Sequence, residues 1–234
     1  MSAEGTAFTK VVMDFHSNPE QSHLSLEGID LNSVPVMAGE GMPSLKLLWQ
    51  DIRIHSTLKS LDLSNTGLSK CTCTESTPWS SAGDYVRGIL IALATRQIEH
   101  ISLANNALGP TDSPDIESDI LSTFLEVTMA NKALKSVNLC GNALTVKQFE
   151  NVLYAANLSR HVTTLQCDLP AGYTLGEGAL PPSLRLIGSN GKEITEPVDC
   201  EQKGSVVSTT GLVPSVAAPV EVKAAASDDA TMTY

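Results

Sequence analysis

The sequence predicts an α/β solenoid, a curved array with short parallel strands on its concave side and helices on its convex side. Three observations carry this. An eleven-residue apolar pattern recurs along the chain. A run of apolar residues at helical spacing stands ahead of each copy. The core has to be aliphatic, because 42% of the 234 residues are hydrophobic but only 4% are aromatic.

The pattern is plainest in IEHISLANNAL (98–108) and LKSVNLCGNAL (134–144). Ile98, Ile101, Leu103, Asn106 and Leu108 fill the fixed positions of L-x-x-L-x-L-x-x-N-x-L, and so do Leu134, Val137, Leu139, Asn142 and Leu144. This is the leucine-rich repeat consensus. LKSLDLSNTGL (58–68) is a third copy, with Thr66 in the Asn position. QSHLSLEGIDL (21–31) is a fourth, with Ile29 there, which suits an edge repeat or a loosened one. VTTLQCDLP keeps Val162, Leu165 and Cys167, and PSLRLIGSN keeps only Leu184 and Leu186. The chain thus reads as five repeats plus a weak terminal one.

Each x-L-x-L-x centre has the period of two expected of a strand, with leucines on one side and variable residues on the other. The Asn side chain suits the turn out of that strand, where it can bond backbone groups. A single repeat cannot bury its leucines, so several must stack. The five better copies start 28 to 40 residues apart. Most spacings exceed the usual repeat of about 20–29 residues, so most repeats carry an insertion.

The intervals supply the helices. Phe8, Val11, Val12 and Phe15 stand before the first strand, and Leu45, Leu48, Trp49 and Ile52 before the second. Tyr85, Ile89, Ala92 and Leu93 precede the third. Ile116, Ile120, Phe124 and Val127 precede the fourth, and Val146, Phe149, Val152, Leu153 and Ala156 the fifth. All have helical spacing. Residues 69–84 and the segment GPTDSPDIESD are rich in Ser, Thr, Pro and Asp, as loops with helix caps are. The leucine-rich repeat domain is set at residues 1–199, and residues 200–234 read as a flexible, low-complexity tail.

The helix-to-strand joints MANKALKSVNL and LATRQIEHISL, together with FHSNPEQSHLSL, resemble those of the ribonuclease-inhibitor-like leucine-rich repeat proteins. The resemblance spans roughly residues 6–170 and implies a horseshoe. That group includes inhibitors, innate immune sensors, the actin-capping tropomodulins and activators of the GTPase Ran. It implies a non-catalytic protein–protein interaction module, a scaffold or a subunit of a larger assembly. The alternative is a regulator of an enzyme, such as a GTPase activator resembling the Ran activators. An association with the cytoskeleton is what the tropomodulin resemblance would imply.

Composition trims the choices. A net charge of −11 repels phosphate backbones and anionic lipid, so nucleic acid and membrane are not expected as partners. A protein with a basic patch suits it better. The opening MSAEGTAFTK has no basic stretch leading into an apolar run, and no eighteen consecutive apolar residues occur. Five cysteines, an odd number, read as reduced thiols, and a cytoplasmic protein is expected.

Exposed strand positions of a solenoid lie side by side and commonly bind partners. The candidate contacts are His23, Glu27, Asp62, His100, Asn138 and Gln166. The face is polar and small, and it lacks the Trp, Tyr and Arg that usually anchor tight interfaces. Trp79, in a polar loop, is the candidate aromatic anchor at its rim. No catalytic residue is assigned. His23, Asp62 and His100 share the face with Ser60 and Ser102, but no G-x-S-x-G elbow accompanies them. Cys71-x-Cys73 lacks the C-x-x-C spacing and a second ligand pair, so no metal is assigned. No phosphate-binding loop occurs, and no cofactor is expected.

Overall fold

The computed structural model describes residues 3–39, 42–71, 79, 81–109, 119–176 and 179–195. The tail after residue 199, the domain boundary before it, Cys73 and Ile116 lie outside these residues. The elements are α1 (Ala3–Ser17), β1 (His23–Ser25), α2 (Leu45–Ile54), β2 (Ser60–Asp62), α3 (Ala82–Leu93) and β3 (His100–Ser102). There follow α4 (Asp119–Ala130), β4 (Ser136–Asn138), α5 (Val146–Ser159), β5 (Thr164–Gln166) and β6 (Arg185–Ile187). The six strands form one sheet in chain order, with every neighbouring pair parallel. This is an α/β leucine-rich repeat solenoid.

The register stacks like on like. Leu24, Leu61, Ile101, Val137, Leu165 and Leu186 are cross-strand neighbours, and all are buried. Two residues on, Leu26, Leu63, Leu103, Leu139 and Cys167 make a second buried layer. The weak copy PSLRLIGSN does form a strand, β6, paired along β5. Parallel pairing needs only backbone groups and one leucine layer, so the missing consensus residues do not prevent it.

The turns out of β2 and β3 are each closed by an asparagine from the next repeat. Asn106 Oδ1 accepts from the N–H groups of Thr66 (2.9 Å) and Leu68 (3.2 Å). Its Nδ2 donates to the carbonyls of Leu63 (2.7 Å), Leu103 (3.0 Å) and Ala104 (3.2 Å). Asn142 repeats the pattern one repeat on, accepting from the N–H of Asn106 (2.9 Å) and Leu108 (3.3 Å). It donates to the carbonyls of Leu103 and Leu139, both at 2.9 Å. Both amides are buried, so the exchange satisfies groups that no water reaches. Thr66 is too short to continue the ladder backward, and its hydroxyl donates to Leu63 of its own repeat (2.7 Å). Ile29, with no polar atom to offer, lies in the repeat whose strand β1 is the sheet edge. At the other end Pro170 holds the Asn position. There Asp168 links the repeats instead, accepting from the N–H of Gly141 (2.7 Å) and of Ser189 (3.0 Å). Gly141 has φ 72°, and a Cβ on it would collide with Asn105 Oδ1, so only glycine fits.

Helix starts follow capping rules. Ser44 Oγ accepts from Leu47 N–H ahead of α2. Ser81 with Asp84 and Thr145 with Gln148 form reciprocal boxes at α3 and α5. The core stripes run as the spacing predicts for most of their described residues, while Val11, Trp49 and Ala92 are only partly buried and Val146 is exposed. Val146, the first residue of α5, is 42% exposed, because the inward face begins at Phe149. Trp49 is half-buried and packs sideways, with the Arg53 guanidinium 4.7 Å from its ring centre.

Helix α1 closes the N-terminal end of the array, burying Phe8, Val12 and Phe15 completely. Its last turn meets α2 through two contacts. His16 Nδ1 lies 3.0 and 3.1 Å from the carboxylate oxygens of Asp51, which is 2% exposed. Phe15 stacks on His55, with centroids 4.0 Å apart. His55 is 6% exposed and its Nδ1 has no hydrogen-bond partner. Burial holds the His55 imidazole below its ordinary value of 6.5; Asp51 pulls the other way, and His16 adds to the lowering. The unfolded chain therefore takes up this proton first. The stability is present above about pH 6.5 and is lost as the pH falls through the depressed folded value. Thermal melts between pH 7.5 and pH 5 should show a steeper loss for wild type than for His55→Phe, by a few degrees at about 2–4 °C per kcal/mol. Parallel curves would mean that His55 takes no part in the pH response.

Candidate functional site

A strand of three residues offers two side chains to the open face, and parallel register lines them into rows. The first row is His23, Ser60, His100, Ser136, Thr164 and Arg185. The second is Ser25, Asp62, Ser102, Asn138, Gln166 and Ile187. Two positions further along, Glu27, Ser64, Ala104, Cys140 and Asp168 make a third.

His23, Glu27, Asp62, His100, Asn138 and Gln166 all line one open concavity of about 380 Å³. Strands β1 to β5 and the residues just after β1 thus bring six of the seven candidates together. The seventh, Trp79, lies elsewhere. Its ring centre is 4.6 Å from that of Trp49 on α2 and 5.4 Å from that of Tyr85 on α3. It lies over Gly88 of α3, where a Cβ would press into the ring. Trp79 is 41% exposed on the helical side and does not line the concavity. The loop's sequence gives no sign of this; Gly88, in the middle of a helix, is the only hint that something bulky lies against it.

Arg185 is the residue that the strand reading missed. It stands in the concave row because PSLRLIGSN is a strand, and it pairs with Glu193 at 3.2 Å. Just before the first row, Glu99 bridges Lys59 and Lys135 across three repeats. The Lys135 hydrogen bond and charge, with help from Lys59, hold the Glu99 carboxyl below its ordinary value.

The polar groups on this face are partly committed to the fold. Asp62 Oδ1 accepts from Ser64 N–H (2.9 Å), and Asn138 Oδ1 from Cys140 N–H (3.1 Å). Ser64 and Ser102 share a hydroxyl hydrogen bond of 2.7 Å. Burial raises the Asp168 carboxyl, but its bonds from Gly141 and Ser189 outweigh that and bring it below the ordinary value. Burial, aided by Asp168, pushes the Cys140 thiol up to about 11. Burial, with Cys140 and Asp168, pushes Cys167 to about 12. Both are poor nucleophiles near neutral pH. Among the described residues, no hydrogen bond joins the imidazole of His23 or His100 to a serine or a carboxylate. No group of three metal-ligating side chains occurs among the described residues, and no described helix is long and apolar enough to cross a membrane.

No family model matches the chain, and no curated protein matches it. Among solved structures it is similar to the tropomodulin C-terminal domain from Caenorhabditis elegans, at 16% identity and a TM-score of 0.44. That likeness covers 62% of this chain and 81% of the other. It is also similar to the leucine-rich repeat-containing protein LegL7 from Legionella pneumophila, at 21% identity and a TM-score of 0.48, over 82% of this chain and 56% of that one.

Proposed function

We propose that the chain is a non-catalytic interaction module, a scaffold or assembly subunit, that docks a protein partner on its concave face. The observation that carries this is the convergence of six polar side chains from consecutive strands on one open concavity. Row spacing is about 4.8 Å across strands, so the contacts suit an extended or helical segment lying over several strands. A deep apolar pocket, as small molecules need, is not what this polar, shallow face offers. The partner carries basic groups, since Glu27 and Asp62 face the concavity within a chain of net charge −11. Residence in the cytoplasm, in association with the cytoskeleton, belongs to the same proposal. Trp79 is then a separate contact on the helical side.

The test is a triple variant, Asp62→Arg, His100→Glu and Asn138→Arg, on three neighbouring strands. Partner recovery from the native cell should fall roughly tenfold or more, with association slowing as salt rises. The melting temperature should fall by only a few degrees, because Asp62 and Asn138 each give up one hydrogen bond, from Ser64 and Cys140 N–H, worth about 0.5–1.5 kcal/mol apiece. Equal recovery of the same partners by wild type and variant would show the face to be idle.

A further inference from the structure

We infer that the groove between α2 and α3, on the helical side, docks a short acidic peptide segment that also carries an aliphatic or aromatic side chain. This contact is distinct from the concave one and opposite to it in the charge it seeks.

Trp, Tyr and Arg are the usual anchors of tight interfaces. The concave face lacks the first two, and both tryptophans of the chain meet in this groove instead. Trp79 bridges the two helices. Its ring centre lies 4.6 Å from that of Trp49 on α2 and 5.4 Å from that of Tyr85 on α3, and the ring covers Gly88. Tyr85 is buried, whereas Trp79 keeps 41% of its surface open. The Trp79 backbone stands at φ 67°, which a bulky residue rarely adopts. Ile91 follows Gly88 by one turn on the same face of α3 and is 53% exposed. Leaving a tryptophan and an isoleucine one turn apart in water stabilises nothing in the isolated chain. Covered by a partner, both add to affinity.

Charge gives the partner's sign. The carboxylates on the two helices are those of Asp51 and Asp84. Asp51 is buried against His16, and Asp84 accepts from Ser81 N–H at its own helix start. The cations are Lys46, Arg53 and Arg87, all exposed. Lys46, Trp49 and Arg53 share one face of α2, and the Arg53 guanidinium lies 4.7 Å from the Trp49 ring centre. Among the described residues, neither Arg53 nor Arg87 forms an ion pair. A chain of net charge −11 thus sets unpaired cations on the two helices that hold its aromatic cluster. A carboxylate reaching Arg53 would make a charge-assisted bond beside apolar contacts that exclude water. An anionic lipid surface is the poorer fit. It is gripped by clusters of about 4–8 cations, and the chain's overall charge repels it.

Because both tryptophans lie in the groove, the intrinsic fluorescence of the full chain reports on it directly. The probe is a library of dodecapeptides without Trp or Tyr, selected against the full chain at low salt. An enriched class should combine Asp or Glu with Leu, Ile or Phe, and should move the tryptophan emission to shorter wavelength. Its affinity should fall at least about tenfold against Arg53→Glu and against Ile91→Glu, and should weaken as salt rises. Rewriting its carboxylates as Lys should restore binding to Arg53→Glu. Circular dichroism checks that the variants fold; if Arg53→Glu does not, Ile91→Glu, at a half-exposed position, carries the same test. Enrichment of basic or uncharged peptides alone, or of none, overturns the proposal. An emission shift given by phosphatidylserine vesicles and by no peptide overturns it as well. Acidic peptides that ignore Arg53→Glu and Ile91→Glu but are lost against the concave triple variant overturn it too, and leave the concave docking surface standing.

Discussion

Leu103→Asp should leave no cooperative melt. Leu103 is fully buried in the second leucine layer, flanked by Leu63 and Leu139 from the neighbouring repeats. A carboxylate there has no cation and no spare donor within the aliphatic stack. Its options are to take a proton at a strongly raised pKa or to force the layer open to water. The first alone costs several kcal/mol, of the order of the whole stability of a domain at about 5–15 kcal/mol. The damage also spreads, because each repeat is held by its neighbours. The control is Ser136→Asp, on the open face between His100 and Thr164. Ser102 is a poor control: its cross-strand neighbour is Asp62, and its hydroxyl is bonded to Ser64. Circular dichroism melts decide it, and equal melting temperatures for Leu103→Asp and Ser136→Asp would sink the solenoid.

Asn106→Ala should lower the melting temperature by roughly 10 °C. The substitution orphans the N–H groups of Thr66 and Leu68 and removes a donor from three carbonyls. Each buried, unpaired group costs about 1–3 kcal/mol, and the carbonyls of Leu103 and Leu63 keep other partners in part, such as Asn142 and Thr66. A net loss of about 3–5 kcal/mol follows, at about 2–4 °C per kcal/mol for a domain of this size. Asn106→Asp should be no better, since it keeps the acceptor, loses the donor and buries a charge. Gln166→Ala, on the concave face, should stay within about 0.5 kcal/mol of wild type. An Asn106→Ala variant that melts with wild type would mean that water replaces the amide.

The repeat was legible because its physics is periodic. Leucines at every second position can only point to one side of a strand, and Asn106 and Asn142 mark where the chain must turn. What escaped was non-periodic. The ties of His16 to Asp51 and of Phe15 to His55 join different helices, and no local spacing announces such a pair. Asp168 acts as a bridge only because Pro170 removes the asparagine, a substitution visible in the sequence whose remedy lies across two strands. Of the candidate site, five strand residues and Glu27, just past β1, were legible through their register. Trp79 was not, because a loop's path depends on the surface available, and here Gly88 leaves room beside Trp49 and Tyr85. Arg185 was within reach once PSLRLIGSN is treated as a strand.

The asparagine ladder also gives the molecule a direction in time. Asn106 completes the turn of the repeat before it, and Asn142 completes that of Asn106. On the ribosome, the amides of Asn106 and Leu108 wait until Asn142 has emerged, 36 and 34 residues later. Each repeat is therefore provisional until its successor has been synthesised. A nascent chain that stalls between the two would expose an unfinished end, open to chaperones and proteases, at the last repeat made.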